Sequence, residues 1–321
     1  MGNLGWMSVA EVGQQLKTEV AKVISGQEKI VEQVLVAILA DGHILLEGVP
    51  GVAKTLLIRT LAYTLNLSYG RVQFTPDLMP SDIVGTSVFD PKMGEFKLRR
   101  GPIFVNVLLA DEINRTPPKT QAALLESMEE RHVTIDGETY LLPPPFLVFA
   151  TQNPIDYEGT YPLPEAQQDR FLLKVIVDYP EVEAELEVLQ RHHRGFRPQS
   201  LAAAGVVPVL DAERLIALQT EVASLTVEDK VFDYIMQIVR ATRSAQDVLV
   251  GASPRAGIAL LSCAKAIAAL RGRDFVIPDD VKELALPVLR HRVLLRPEAE
   301  VEGLTVDRVL RSLIDAQTVP R

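Results

Sequence analysis

Five short apolar runs punctuate the first half of the chain, at residues 43–47, 72–75, 104–110, 146–151 and 171–177. Most lack polar alternation, as expected of strands buried on both faces. Between them, residues 55–65 and 120–130 repeat apolar positions at helical spacing. Strands of this kind separated by helical crossovers predict a parallel sheet flanked by helices. Two stretches break the rhythm. Residues 86–98 form two short arms around a Pro/Gly turn, and residues 132–141 carry an Asp136-Gly137 signal; both predict β-hairpins.

Beyond Tyr179-Pro180 the pattern turns helical, at residues 182–193, 211–224, 227–245, 254–270, 279–292 and 305–316. Strand signals nearly vanish there. Thr226, three residues before Asp229, resembles a capping box, and Ser253-Pro254 suits an N-cap followed by a first helical position. The shift places a domain boundary near Pro180, dividing residues 1–180 from 181–321. No repeat or low-complexity tract is present.

Composition narrows the classes. The 321 residues are 47% hydrophobic and 23% charged, ample for packed domains. A net charge of −9, from 33 basic and 42 acidic residues, argues against a protein that binds nucleic acid through a broad basic face. The single cysteine, Cys263, lies in an alanine-rich run and reads as a small buried apolar residue. His43, His132, His192, His193 and His291 are scattered, so a histidine–cysteine metal site is not expected. With no basic leader and no apolar run long enough for a bilayer, the expected location is the cytoplasm.

Candidate chemistry begins at Gly48-Val49-Pro50-Gly51-Val52-Ala53-Lys54-Thr55, followed by Leu56. This is close to the phosphate loop G-x-x-x-x-G-K-[ST], with alanine in place of the last glycine. In such a loop, N–H groups at a helix N-terminus face anionic oxygens, a lysine adds charge, and a hydroxyl completes a magnesium shell. Ala53 is compatible if it already has the negative φ of the helix, leaving Gly48 and Gly51 for the unusual turns. The apolar strand before Asp111-Glu112 places two carboxylates where α/β sheets hold ligands. Asp111 would support Mg2+ through water, and Glu112 would polarise an attacking water. A third strand ends in Thr151-Gln152-Asn153, with Asn153 in reach of that water or the terminal phosphate. Arg255 stands in the first turn of a helix, where the macrodipole disfavours a cation, so an anion should face it: a γ-phosphate or an ordinary glutamate. Arg170, at the entrance of the fifth strand, carries no signal alone.

In order, these stretches resemble the AAA+ ATPases, and their wording resembles the MoxR family. The matching segments are Val23-Ile24-Ser25-Gly26-Gln27-Glu28, the phosphate loop with its alanine, Asp111-Glu112-Ile113-Asn114-Arg115, Ala150-Thr151-Gln152-Asn153-Pro154, Leu163-Pro164-Glu165-Ala166-Gln167 with Asp169-Arg170-Phe171, and Ser253-Pro254-Arg255-Ala256. Gln168 departs from the leucine common there. The resemblance covers nearly the whole chain. It implies a five-stranded parallel core with two β-hairpin inserts, an all-helical lid, ATP and Mg2+ between them, and rings that are usually hexameric. It also implies roles: Lys54 and Thr55 as the Walker A pair, Asp111 and Glu112 as the Walker B pair, Asn153 and Arg255 as the sensors, and Arg170 as the finger offered to a neighbouring subunit. Arg115 remains a competing candidate for that last role. Ile24 and Gly26 match the segment lining the adenine pocket.

Functionally the resemblance implies an ATP-driven, chaperone-like motor acting on protein complexes, with von Willebrand factor A domain proteins as partners. The hairpins also match a clade holding magnesium-chelatase motors and replicative helicases, so a nucleic-acid or metal-chelatase-type motor is the alternative. The acidic tip at Asp136 and Glu138 opposes DNA, whereas Lys92, Lys97, Arg99 and Arg100 on the other hairpin do not. A non-hydrolysing scaffold is disfavoured by the presence of Glu112 and both sensor-like residues.

Overall fold

The structure, a computed structural model, describes residues 7–154, 159–197 and 200–320. Helices α1 (Val9–Ala21) and α2 (Glu28–Leu39) precede β1 (Ile44–Glu47), which feeds α3 (Lys54–Thr64) and β2 (Tyr69–Gln73). The short α4 (Pro80–Val84) leads into β3 (Gly85–Asp90) and β4 (Glu95–Arg100). After β5 (Val107–Asp111) come a 3-10 turn at Ile113–Arg115, α5 (Pro118–Glu130), β6 (His132–Ile135), β7 (Glu138–Leu141) and β8 (Leu147–Gln152). The core ends with α6 (Glu165–Gln168) and β9 (Leu173–Ile176).

Five strands form one sheet in the order β2-β5-β8-β1-β9, and every neighbouring pair is parallel. The continuous apolar character of the central strands follows from burial on both faces: every residue of β5 is buried, and so are the first five of β8. All five C-terminal ends therefore open on one edge of the sheet, and all five N-terminal ends on the other. Both expected hairpins are present. At the β6–β7 turn, Asp136 (φ 52°) and Gly137 (φ 86°) both take the left-handed conformation that a tight hairpin demands.

The helical half contains α7 (Val182–His193), α8 (Ala212–Ala223), α9 (Asp229–Ser244), β10 (Val248–Val250), α10 (Pro254–Leu270), α11 (Pro278–Leu289), β11 (Leu294–Leu295), α12 (Pro297–Val301) and α13 (Val306–Asp315). Alanine-rich α10 is its axis and packs against α1, α2, α8, α9 and α11. Two sequence expectations are corrected here. The lid is not wholly helical, because β10 and β11 pair antiparallel. Thr226 is not a capping residue: Glu228 is the N-cap of α9, while the Thr226 backbone accepts from Val276 and donates to Asp274. Ser253 is the N-cap of α10, with Pro254 at the first helical position. Among the described residues, no helix is long and apolar enough to cross a membrane.

Candidate active site

The phosphate loop links β1 to α3 at the C-terminal edge of the sheet. Gly51 has φ 90° and open space where a Cβ would stand. Gly48 is required for another reason: a Cβ there would lie 2.2 Å from the Val177 carbonyl oxygen. Ala53 overturns the expectation of a negative φ. It sits at φ 61°, ψ 19°, in the left-handed conformation that the usual glycine adopts without strain. The loop must enter α3 from that conformation whether or not the residue is glycine. Lys54 turns back into the loop, donating to the carbonyl oxygens of Gly48 and, at 3.3 Å, of Val49. Burial lowers the pKa of its ammonium, against the pull of Asp111, Glu112 and Glu47.

Lys54, Thr55, Asp111, Glu112 and Asn153 converge on one cavity of 350 Å3, which Pro50, Gly51, Val52, Ala53 and Leu56 complete. The carboxylates are held by residues to which the sequence assigned no such part. Thr151 Oγ1 donates to Asp111 Oδ1 at 2.6 Å, and the Glu112 N–H donates to the same Thr151 oxygen at 2.8 Å. Arg71 Nη2 meets Asp111 Oδ2 at 2.7 Å and donates to Gln73 Oε1 at 2.8 Å. Gln73 Nε2 in turn donates to Glu112 Oε2 at 2.7 Å, and Arg115 Nε lies 3.1 Å from that oxygen. Glu112 itself has φ 57°, so the backbone swings its side chain off the strand axis. Arg71 and Gln73 share one face of β2 by simple alternation, the signal that could have found them.

A second cavity of 510 Å3 adjoins the first across Pro50, Gly51, Val52 and Ala53. It is lined by apolar groups of Ile24, Leu56, Tyr179, Val188 and Leu189. Gly26 admits α7 over it, since a Cβ at this φ 70° position would lie 2.4 Å from the Ala184 Cβ. Gln27 Nε2 donates to the Val52 carbonyl at 3.0 Å, tying the base-side segment to the phosphate loop. The polar cavity with its lysine, hydroxyl and carboxylates fits a phosphate chain with a divalent cation. The apolar one fits a flat base. Ile24 was expected here; α7 was not, because its apolar positions look like any core-facing helix.

Arg170 and Arg255 lie elsewhere. Both reach Glu129, at 3.1 Å and 3.5 Å, in a cleft shared with Asp41, Gly42 and His43 at the N-terminal edge of the sheet. The anion offsetting Arg255 within the chain is thus a glutamate. Arg292, buried, holds Asp169 at 2.6 Å and fixes the segment that carries Arg170.

Residues 43–173 match the ATPase family associated with various cellular activities (AAA), and residues 240–313 match the AAA lid domain. Chaperone MoxR1 of Mycobacterium tuberculosis is 45% identical over 94% of this chain and 81% of its own. The chain belongs to the MoxR family of AAA+ ATPases. Protein MoxR of Methylorubrum extorquens is 31% identical over 97% of this chain and 96% of its own. The crystal structure of a candidate ATPase from Cytophaga hutchinsonii superposes with a TM-score of 0.89 at 42% identity, covering 98% of this chain and 96% of that one. Membership in this AAA+ family accounts for the joined polar and apolar cavities as a nucleotide site with a divalent metal. It also accounts for the two-part architecture of core and lid, and members of the family typically assemble as rings.

Proposed function

We propose that this MoxR-family chain hydrolyses ATP at a site completed by a neighbouring subunit, and uses the cycle to remodel or assemble protein complexes. One observation carries the reading: Lys54 and Glu112 share one edge of the sheet while Arg170 and Arg255 share the other. From Gly42 to Gly48 lies on the order of 20 Å of extended chain, beyond the reach of an arginine side chain. The two arginines therefore serve the site of the next subunit, in a closed ring such as a hexamer.

In that site the N–H groups at the start of α3 and the Lys54 ammonium hold the phosphates. Thr55 would hold Mg2+ directly and Asp111 through water, and the ion would neutralise charge between phosphate oxygens. Glu112 accepts the proton of the water whose oxygen attacks the γ-phosphorus, while Asn153 orients it. The bond to the β-phosphate oxygen breaks, and ADP carries the electron pair. Arg170 and Arg255 meet the charge that develops on the transferred group. We divide the chain into a nucleotide-binding core at residues 1–180 and a lid at 181–321.

The name chaperone attached to the Mycobacterium relative supports a protein client, with a von Willebrand factor A domain protein as the partner class. On the hairpin β3–β4, Lys97 is paired with Asp90 at 2.9 Å, which removes a charge that DNA would need. Mixing Arg170→Ala with Glu112→Gln subunits tests the shared site. Each is inactive alone, yet an intact Arg170 facing an intact Glu112 rebuilds one complete site. ATPase activity above the sum of the two is expected; subunits that exchange without gaining activity would refute it, and Arg115 would be tested next.

A further inference from the structure

Strand β1 is apolar and buried at Ile44, Leu45 and Leu46, then ends in a carboxylate, Glu47, one residue before the phosphate loop. Glu47 keeps only 20% of its side chain exposed, and Lys174 on β9, whose Nζ lies 2.8 Å from Glu47 Oε2, keeps 17%. In the register of β1 with β9, Lys174 stands two residues before Ile176, the partner of Glu47, and so shares its face of the sheet. The same carboxylate oxygen accepts from Gln152 Nε2 on the other neighbouring strand, β8, where Gln152 is paired directly with Glu47. A carboxylate, an ammonium and an amide thus fill a strand end that apolar side chains of similar volume would hold as well or better. Stability alone does not explain them.

Their position does. Gln152 lines the phosphate cavity and immediately precedes Asn153. Its carbonyl oxygen accepts from the Gly48 N–H at 3.3 Å, long for a backbone bond, and the Gly48 carbonyl in turn accepts from Lys54 Nζ. One line of contacts therefore runs from the lysine of the phosphate loop, through Gly48 and Gln152, to the asparagine at the end of β8. The bond from Gln152 to the Glu47 carboxylate lies beside the longest link of that line and, being charge-assisted, braces it. Lys174 braces Glu47 from the opposite side.

We infer that Glu47 is a positioning residue for hydrolysis: through Gln152 it fixes the spacing between the phosphate loop and Asn153, and with it the alignment of the γ-phosphate and the attacking water. The inference rests on the reading above in which Asn153 orients that water. It asks nothing of nucleotide affinity, because neither Glu47 nor Lys174 lines either nucleotide cavity. Misplacing a reacting group by about 1 Å is enough to slow a reaction about a hundredfold, so a loosened brace acts on turnover.

Steady-state ATPase measurements and equilibrium binding of a fluorescent ATP analogue test it together. Glu47→Leu should lower kcat roughly tenfold or more while leaving the dissociation constant within about twofold of wild type. Glu47→Gln keeps an oxygen for the Gln152 amide, so it should turn over at least about threefold faster than Glu47→Leu. Gln152→Leu cuts the same bond from the other strand, on a half-buried residue, and carries the test if Glu47→Leu does not fold. The double variant Glu47→Leu, Gln152→Leu should be no slower than the slower single variant, because both remove one bond. Turnover of either single leucine variant within about twofold of wild type would overturn the inference. So would nucleotide binding weakened as much as turnover, equal turnover of Glu47→Gln and Glu47→Leu, or losses that multiply in the double variant. Glu112→Gln, measured alongside, separates this inference from the reading beneath it. If Glu112→Gln hydrolyses ATP like wild type, the assignment of the water fails and the role of Glu47 falls with it. If Glu112→Gln is inactive while Glu47→Leu turns over normally, the role of Glu47 alone is refuted.

Discussion

Arg71 Nη2 stands 2.7 Å from Asp111 Oδ2, across the parallel pairing that sets Gln73 opposite Asp111. The contact occupies the carboxylate oxygen that Thr151 leaves free, so Asp111 is engaged on both oxygens. A magnesium water shell must then compete with a guanidinium for that oxygen. Arg71→Ala should lower the Mg2+ concentration for half-maximal ATP hydrolysis about two- to fivefold, the scale of a half-exposed ion pair worth up to ~1 kcal/mol. Magnesium titrations at fixed ATP measure it, and an unmoved midpoint would show that Arg71 does not compete.

Ala53 at φ 61° bears a strain that glycine would not. Ala53→Gly relieves the clash of Cβ with the backbone while loosening the unfolded chain, and the first effect is the larger. We expect stabilisation of about 0.5–1 kcal/mol by denaturant unfolding. Destabilisation would mean that the loop holds Ala53 at negative φ in solution.

Much of this was legible because it is local. Apolar runs marked all five strands, and Asp136-Gly137 marked a hairpin whose two left-handed residues need no distant partner. The phosphate loop and the two carboxylates were legible because fixed spacing encodes their chemistry. What escaped depends on distant pairing. β2 spans Tyr69–Gln73 rather than 72–75, because its register against β5 extends it over Tyr69, Gly70 and Arg71, where no apolar run appears. β10 and β11 exist only through pairings such as Val248 with Leu295. The Arg71–Gln73–Glu112 chain and the meeting of Arg170 with Arg255 on Glu129 needed the sheet to be assembled first.

Arg255 separates the shared-site reading from an ordinary lid contact. If it serves the next subunit, Arg255→Ala should leave the ATP dissociation constant of dilute, unassembled protein unchanged while lowering the turnover of assembled protein tenfold or more, within the range for arginines acting in trans. Equilibrium binding below the assembly concentration and steady-state ATPase above it supply the two measurements. Weaker binding by the dilute protein would place Arg255 on its own subunit's nucleotide.

Acid should unfold this protein through two histidines rather than through its carboxylates alone. His43 is buried, its Nε2–H donating to the Met128 carbonyl at 3.0 Å and its Nδ1 accepting from the Val148 N–H at 3.1 Å. Burial first, then the charge of Arg131, lowers its pKa to about 3, against the upward pull of the Met128 bond. His291 is buried on the Phe171 carbonyl at 2.9 Å and is likewise lowered well below its ordinary value, by burial and then by Arg292. Below the ordinary histidine value of about 6.5 the unfolded chain binds protons that the folded chain refuses, so stability falls as pH falls. For His43 the loss runs from about 6.5 down to about 3, at ~1.4 kcal/mol per pH unit. His291 adds a loss of the same sign that begins in the same place. Denaturant unfolding at pH 7.5, 6.5, 5.5 and 4.5 should show this slope, and His43→Gln should lose its share of it whatever its stability at pH 7.5. Equal slopes for wild type and His43→Gln would mean that His43 is not held neutral in the core.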